Sequence, residues 1–212
     1  MGLEAETRND ARMKNNKLQI RIHIQGGAIE TFFQNDPAAA TRILQGIHPA
    51  KLFGANRIAI AGEHSLTAFI SCRITRVDFL SEGFALWEFP PGILDVVELS
   101  EKEFRDRTHL DDPARLEKRK NPKHPGEFAV VFVDMEMAGG QRIFLAVEIM
   151  ISLPAERLQR LNLLLASPAL HCRLRQGGVA VLNLANLVRF TSYPGPDRSP
   201  ADAWPAHHAA NK

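Results

Sequence analysis

Residues 17–33 read KLQIRIHIQGGAIETFF, and residues 128–149 read FAVVFVDMEMAGGQRIFLAVEI. Each stretch consists of an apolar-rich run, a Gly-Gly pair and a second apolar-rich run, which is the pattern of two strands joined by a tight turn. The first glycines of the two pairs, Gly26 and Gly139, are 113 residues apart. In both places a Pro-Ala dipeptide and further short apolar runs follow. We therefore expect an internal duplication of one unit, in which a hairpin is followed by a helix and further strands.

The first hairpin, with a two-residue loop at its Gly-Gly pair, has one apolar and one polar face. This loop places Ile24 opposite Ile29 on the apolar face, because side chains alternate along a strand. It places His23 opposite Glu30 on the polar face, with Arg21 diagonal to Glu30. A hairpin with this alternation is expected to be half-buried.

The second hairpin is apolar on both faces. A two-residue loop there places Asp134 opposite Leu145 and Glu136 opposite Ile143. The opposite face carries a run of valines and methionines. We therefore expect this hairpin to be covered on both sides.

Residues that favour helix starts predict three helices, besides a polar helical turn that begins at Asp112-Pro113 in the connector. Asp36 precedes a proline that fits the first turn of a helix, so a helix should begin there. Ser100 and Glu103 form a capping box, which predicts a short helix over residues 101–108. The leucines that follow Pro154 recur at helical spacing and predict the third helix.

Short apolar runs predict the remaining strands. They lie at residues 57–61, 66–72, 73–80 and 84–89 after the first hairpin, and at 170–175, 179–183 and 187–192 after the second. Residues 93–99 are predicted to form an extended or edge segment.

We expect an α+β fold built of two related halves, each an antiparallel sheet with one helix, in a barrel-like or two-layer arrangement. The predicted parts are a flexible arm at 1–16, a first α+β repeat at 17–99, a helical and basic connector at 100–127, a second α+β repeat at 128–193 and a disordered tail at 194–212. The seam, meaning the surface where the two halves meet, is where a ligand cleft is expected.

The composition narrows the class of protein. The 212 residues carry a formal net charge of +2, so the overall charge demands neither nucleic acid nor a membrane as partner. No apolar run is long enough for a signal peptide core or a membrane span, so we expect a cytoplasmic protein with no membrane partner. Cys72, Cys172 and the eight histidines lack the spacing of a metal site, and no metal or cofactor is predicted.

Two groups of residues are candidates for acid–base chemistry. His23 and Glu30, with Arg21 nearby as a candidate ligand-binding residue, form a pair that can transfer protons, because a carboxylate fixes the tautomer of a histidine. Asp134 and Glu136 share one strand face beside apolar residues, where carboxyl pKa values rise. Solvated charge pairs are the simpler interpretation of both groups.

One basic cluster is a candidate nucleic-acid-binding site. It lies in the predicted connector at 115–123 and consists of Arg115, Lys118, Arg119, Lys120 and Lys123. Such a cluster can contact phosphates, although the aromatic residues that stack on bases are missing around it. A solvated connector is the favoured interpretation.

No motif specifies a reaction, so our leading hypothesis is a non-enzymatic binding or assembly module. The apolar excess on the second hairpin favours a homo-oligomer, most simply a dimer. Two alternatives remain open: a nucleic-acid-binding protein that uses its sheet surface and the basic cluster, and an enzyme with a site at the seam.

Overall fold

A computed structural model describes residues 17–81, 87–109, 128–150, 156–195 and 203–204. The strands, in chain order, are β1 Leu18–Ile24, β2 Ile29–Gln34, β3 Arg57–Ala61, β4 Leu66–Ile70, β5 Ile74–Leu80, β6 Ile93–Leu99, β7 Phe128–Met137, β8 Arg142–Met150, β9 Ala169–Arg173, β10 Val179–Asn183 and β11 Leu187–Tyr193. The α-helices are α1 Pro37–Gly46, α2 Glu101–Thr108 and α3 Glu156–Leu165. Within these ranges, no helix has the length and apolar character needed to cross a membrane.

Most of the strands belong to one large sheet. Nine strands follow the order β11-β7-β8-β6-β9-β10-β5-β1-β2, and β3 pairs with β4 in a separate two-stranded sheet. The paired neighbours are antiparallel, except for β6 and β9, which run parallel. The mixed α+β class is therefore confirmed. The described strands do not close into a barrel, so the barrel-like packing that we expected is not confirmed.

The register predicted for the first hairpin is wrong by one residue. Its loop has three residues rather than two, because the Ile24 backbone N–H donates to the Ala28 carbonyl oxygen at 2.9 Å. His23 consequently lies opposite Ile29, and Ile22 lies opposite Glu30. Since side chains alternate along a strand, this shift moves every β2 side chain to the other face of the hairpin.

The second hairpin shows the same one-residue error. Its loop also has three residues, and Asp134 lies opposite Phe144, while Glu136 lies opposite Arg142. The predicted burial of both faces is confirmed. The side chains of one face belong to the largest core cluster. Those of the other face, which include Phe132, pack around Phe104 of α2.

Residues 93–99 are extended, as predicted, but they form an internal strand and not an edge. β6 pairs antiparallel with β8 on one side and meets β9 on the other, at Val97 opposite Arg173. Ile93, Val96 and Leu99 are buried. α2 follows at once, and its predicted capping box is present, with Ser100 and Glu103 each satisfying a backbone N–H of the other.

The helices contribute apolar side chains to two cores. α1 begins at the predicted Asp36 cap and buries Ala40 beside β1 and β5. α3 buries Leu161 and Leu164 in the core of the second hairpin. The arm at 1–16, the first half of the strand predicted at 84–89, the basic cluster at 115–123 and most of the tail at 194–212 lie outside the described residues, and residues 87–89 are not in a strand.

Candidate functional site

The strand β5 carries two charged residues in an otherwise apolar segment, and both are buried. Arg76 donates from Nη1 and Nη2 to the two carboxylate oxygens of Glu98 on β6, at 2.7 and 2.8 Å. Its Nε donates to Asp78 Oδ1. Arg76 thus bridges two carboxylates, and a bidentate pair of this kind holds both side chains in one orientation.

His23 on β1 completes the network. Its Nε2 lies 3.0 Å from Asp78 Oδ2. Burial by itself would raise the pKa of Asp78, but the hydrogen bonds with His23 and Arg76 and the positive charge of Arg76 hold that pKa below its ordinary value. Asp78 therefore remains a carboxylate, because two partners compensate for its removal from water.

A cavity of about 310 Å³ opens beside this network. Arg21, His23, Arg76 and Asp78 line it from β1 and β5 in the first half, and Glu98 lines it from β6. The second half contributes residues 174–176, which follow β9. The cavity therefore lies where β1, β5 and β6 meet the segment that follows β9, and we call this place the seam.

The charges around this cavity are mostly paired within the chain. Arg175 forms an ion pair with Glu103, and Arg76 is held by Asp78 and Glu98. Within the described ranges, Arg21 is the cavity-lining arginine for which the structure shows no ion pair. The arrangement can position a small polar ligand, but the buried carboxylates and guanidinium are already bonded to one another.

The structure separates the predicted pair of His23 and Glu30. Glu30 lies opposite Ile22, so it is on the other face of the hairpin from His23, and its side chain is exposed. The carboxylate that meets His23 is Asp78, which lies 55 residues away in sequence. Arg21 does line the same cavity as His23.

Asp134 and Glu136 lie in separate ion pairs. Arg142 Nη2 donates to Asp134 Oδ2 at 2.6 Å, and Arg189 Nη2 donates to Glu136 Oε2 at 3.1 Å. Neither carboxylate lines the cavity at the seam. Both pairs bridge neighbouring strands, as charge pairs on a sheet commonly do.

Sequence reasoning missed Arg76, Asp78 and Glu98. The available signal was the alternation of Arg76 and Asp78 within the apolar run of β5, because a charged residue inside a buried strand needs a partner. Nothing in the sequence indicates that Glu98 is that partner, since two strands, β9 and β10, lie between β6 and β5 in the sheet order.

An aromatic cavity of about 380 Å³ lies elsewhere, between α3, β9 and residues 87–90. The ring of His171 stacks on Phe89, with centroids 4.3 Å apart, and meets the ring of Trp87 edge-on. His171 Nε2 lies 3.1 Å from the Trp87 carbonyl oxygen, and burial lowers the pKa of the imidazole. This packing favours a neutral histidine in a structural role.

In the part of the chain that the structure describes, no cluster of three or more histidine, cysteine, aspartate or glutamate residues could hold a metal ion. Cys172 is buried, and burial raises the pKa of its thiol above its ordinary range. A thiol of this kind is a poor nucleophile, because the thiolate is the reactive form. Cys72 is exposed.

Several strands present exposed apolar side chains, and β4 and β11 are two of them. β4 exposes Leu66 and Ile70, at 70% and 55% of their full surface. β11, at one end of the large sheet, exposes Val188 and Phe190. Among the described residues, β4 pairs only with β3 and β11 only with β7, so each strand has one open edge. Open edges with exposed apolar residues are sites where another chain can pair.

No protein-family model matches the chain, and neither the curated proteins nor the solved structures compared with it include a match.

Proposed function

We propose that the protein is a non-enzymatic assembly module that associates with copies of itself through the open edges of its sheets. The observation that carries this proposal is the exposure of apolar side chains along β4 and β11, whose outer edges have no partner strand among the described residues. An edge with this character is either covered in the working state or prone to uncontrolled pairing. In a closed homo-oligomer, the open edges of each copy are covered by strands of other copies. A dimer is the simplest case.

The charged network at the seam supports a structural role rather than catalysis. Arg76, Asp78 and Glu98 use their hydrogen-bonding groups on one another, across strands that are distant in the sheet order. A catalytic acid or base needs a free position toward its substrate. The network instead fixes β5 against β1 and against β6, which is not its neighbour in the sheet.

Matching registers support an origin by duplication. β1 pairs with β2 and β5 in the first half, and β7 pairs with β8 and β11 in the second. His23 lies opposite Arg76, and the residues 113 positions later, Glu136 and Arg189, also lie opposite each other. A chain made of two equivalent units has equivalent edges, which suits repeated assembly.

Sedimentation velocity over a concentration series tests the proposal. We expect the sedimentation coefficient to exceed that of a monomer at tens of micromolar and to fall on dilution if the complex dissociates. A single monomeric species at every concentration would contradict it.

A second candidate function rests on the seam cavity, in which Arg21 faces the His23–Asp78 pair. These groups suit a small polar ligand or substrate that carries a negative charge. Mass spectrometry of the denatured protein would reveal a ligand retained through purification, and the Arg21→Ala variant should lose it. An empty wild-type protein would count against this candidate.

Nucleic-acid binding through Arg115, Lys118, Arg119, Lys120 and Lys123 stays a prediction, because these residues lie outside the described ranges. A mobility shift that weakens steeply with salt would support it.

A further inference from the structure

The two halves of the chain are joined by a pair of strands. β10 of the second half runs antiparallel to β5 of the first half, and Val181 lies opposite Val77 at its centre. Both valines are almost fully buried, at 0% and 1% exposure. We call this contact the internal joint.

Each strand of the internal joint has a counterpart in the opposite half of the chain. These two counterparts do not pair with each other, and each has an open edge among the described residues. In the first half, β4 leads through the 3-10 turn Ser71–Arg73 into β5. In the second half, β10 leads through the 3-10 turn Leu184–Asn186 into β11. The two turns are 113 residues apart, the same separation as the glycine pairs. β4 therefore corresponds to β10, and β11 corresponds to β5.

We propose that β4 of one copy pairs antiparallel with β11 of the next copy, in the register of the internal joint. This proposal rests on the self-association proposed above and names the two strands that carry it. The register of the internal joint, moved by 113 residues in each strand, places Ala68 opposite Phe190 and Phe69 opposite Arg189.

The exposed side chains fit this pairing. Leu66, Ala68 and Ile70 alternate along β4, so they share one face, and all three are exposed. Phe190 on β11 is exposed, and so is Val188, which lies where the register of β11 against β7 shifts. In the proposed register, the exposed Ala68 lies opposite the exposed Phe190, as Val181 lies opposite Val77 at the internal joint. Cross-strand apolar pairs are what stabilises such a contact.

The other open edge of the large sheet does not offer the same contact. β2 exposes Ile29 and Phe33, and its counterpart in the second half is β8, which pairs with β6. β6 is the last strand of the first half, and it is already paired with β8 and β9. A second copy therefore has no free strand equivalent to β6 to offer to β2.

The assembly is closed when the β4 strand of every copy pairs with the β11 strand of another copy. Two copies close the assembly if both contacts form at once, which is the simplest symmetric result. Larger rings use the same contact. The open edges disappear in each case, which removes the tendency of unpaired strands to aggregate.

Cysteine pairing between separately purified variants tests the contact. Cys72 is replaced by serine in every variant, because it is exposed next to β4. One protein then carries Ala68→Cys and the other Phe190→Cys. Directly opposed residues of an antiparallel pair have Cα atoms about 4.5–5.5 Å apart, which a disulfide can bridge.

We expect neither protein to form covalent dimers alone, and the mixture, after subunit exchange and mild oxidation, to form them in high yield. A shifted control, Ala68→Cys mixed with Val188→Cys, should cross-link at least several-fold less, because the Cα atoms of diagonal neighbours are too far apart. Cross-linking of Phe190→Cys with itself would overturn the proposal in favour of pairing between two β11 strands.

Lysine substitutions provide a second measurement that does not depend on disulfide chemistry. Phe190→Lys and Ile70→Lys should each shift the assembly toward the monomer, because a charge on an edge strand opposes pairing. Phe33→Lys on β2 is the matched control, since Phe33 is also an exposed aromatic residue on an edge strand, and it should leave the mass unchanged. Dissociation by Phe33→Lys alone would overturn the proposed contact.

The two proposals fail in different ways. If the wild-type protein is monomeric, self-association itself is wrong. If the wild-type protein is oligomeric but the Ala68→Cys and Phe190→Cys mixture does not cross-link, self-association stands and the β4–β11 contact is wrong.

Discussion

Val181 of β10 lies opposite Val77 of β5, and this buried contact connects the two halves of the chain. The two residues are far apart in sequence, so the contact depends on the whole fold. The corresponding contact between two copies in the proposed assembly would bring Ala68 to Phe190. Both residues are exposed in the single chain. The difference between a buried pair and its exposed counterpart is the physical basis for the proposed assembly.

The internal joint should be sensitive to the side chain at Gly178, which precedes β10. A Cβ atom there would lie 2.1 Å from the Phe79 carbonyl oxygen, and Gly178 has a φ of +88°. We expect Gly178→Ala to lower the free energy of unfolding by about 2–5 kcal/mol, from overpacking and backbone strain together. Gly177→Ala is the control, because its φ is +93° but its Cβ would meet no atom within 4 Å. Urea unfolding should show a loss of about 1 kcal/mol for Gly177→Ala, and equal losses would contradict the close approach.

The buried network at the seam should depend on Arg76. Arg76→Met keeps the apolar stem but leaves the Asp78 and Glu98 carboxylates without their shared cation. We expect a loss of about 3–5 kcal/mol in the free energy of unfolding, because removing one partner leaves a charge uncompensated. Arg105→Met should cost less than about 1 kcal/mol, since the ion pair of Arg105 with Glu101 is half-exposed. A small loss at Arg76 in chemical denaturation would show that the network does not hold β5 against β6.

Mild acid should destabilise the fold through His171. Burial lowers the pKa of this imidazole from its ordinary 6.5, so below that pH the unfolded chain binds more protons than the folded protein. The free energy of unfolding should therefore be fully retained above about pH 6.5, fall as the pH drops below that value, and level off below the lowered pKa of the folded protein. Melting temperatures between about pH 7.5 and about pH 5.5 measure this, and His171→Gln should flatten the profile over that range. An unchanged profile in the variant would assign the loss to other groups.

Helix α3 should contribute to the core through one face. Leu161 is 2% exposed and lies in the largest core cluster, whereas Leu163 is 57% exposed. We expect Leu161→Ala to cost about 2–5 kcal/mol in the free energy of unfolding, as buried leucine truncations do. Leu163→Ala should change it by less than about 1 kcal/mol, unless this side of α3 is covered in the assembly. A comparable loss in both variants, measured by denaturant titration, would contradict the orientation of the helix.

Much of the fold could be predicted from local signals. The Asp36 cap, the capping box at Ser100 and the two hairpins lie where the sequence places them. The register could not be predicted, because Gly-Gly pairs fit loops of two or three residues equally well. Phe32 and Phe33 are adjacent and both aromatic, so the apolar pattern of β2 does not reveal which of them faces the core.

The candidate site was less accessible to prediction than the fold. His23 and Arg21 could be identified from β1 alone, but the true partner of His23 is Asp78 on β5 rather than Glu30 on β2. Pairing of β1 with β5 is a long-range contact that periodicity does not specify. The bridge from Arg76 to Glu98 is less predictable still, because it joins strands that are not neighbours in the sheet.

Self-association is the central claim, and multi-angle light scattering after size exclusion measures it most directly. The wild-type protein and Phe190→Lys are compared at tens of micromolar. We predict a wild-type molar mass that is a whole multiple of 23.6 kDa, most simply twice that value, and a shift of Phe190→Lys toward 23.6 kDa. A wild-type mass of 23.6 kDa that does not change with concentration would contradict the account and would mean that the exposed residues of β4 and β11 do not bind a second copy.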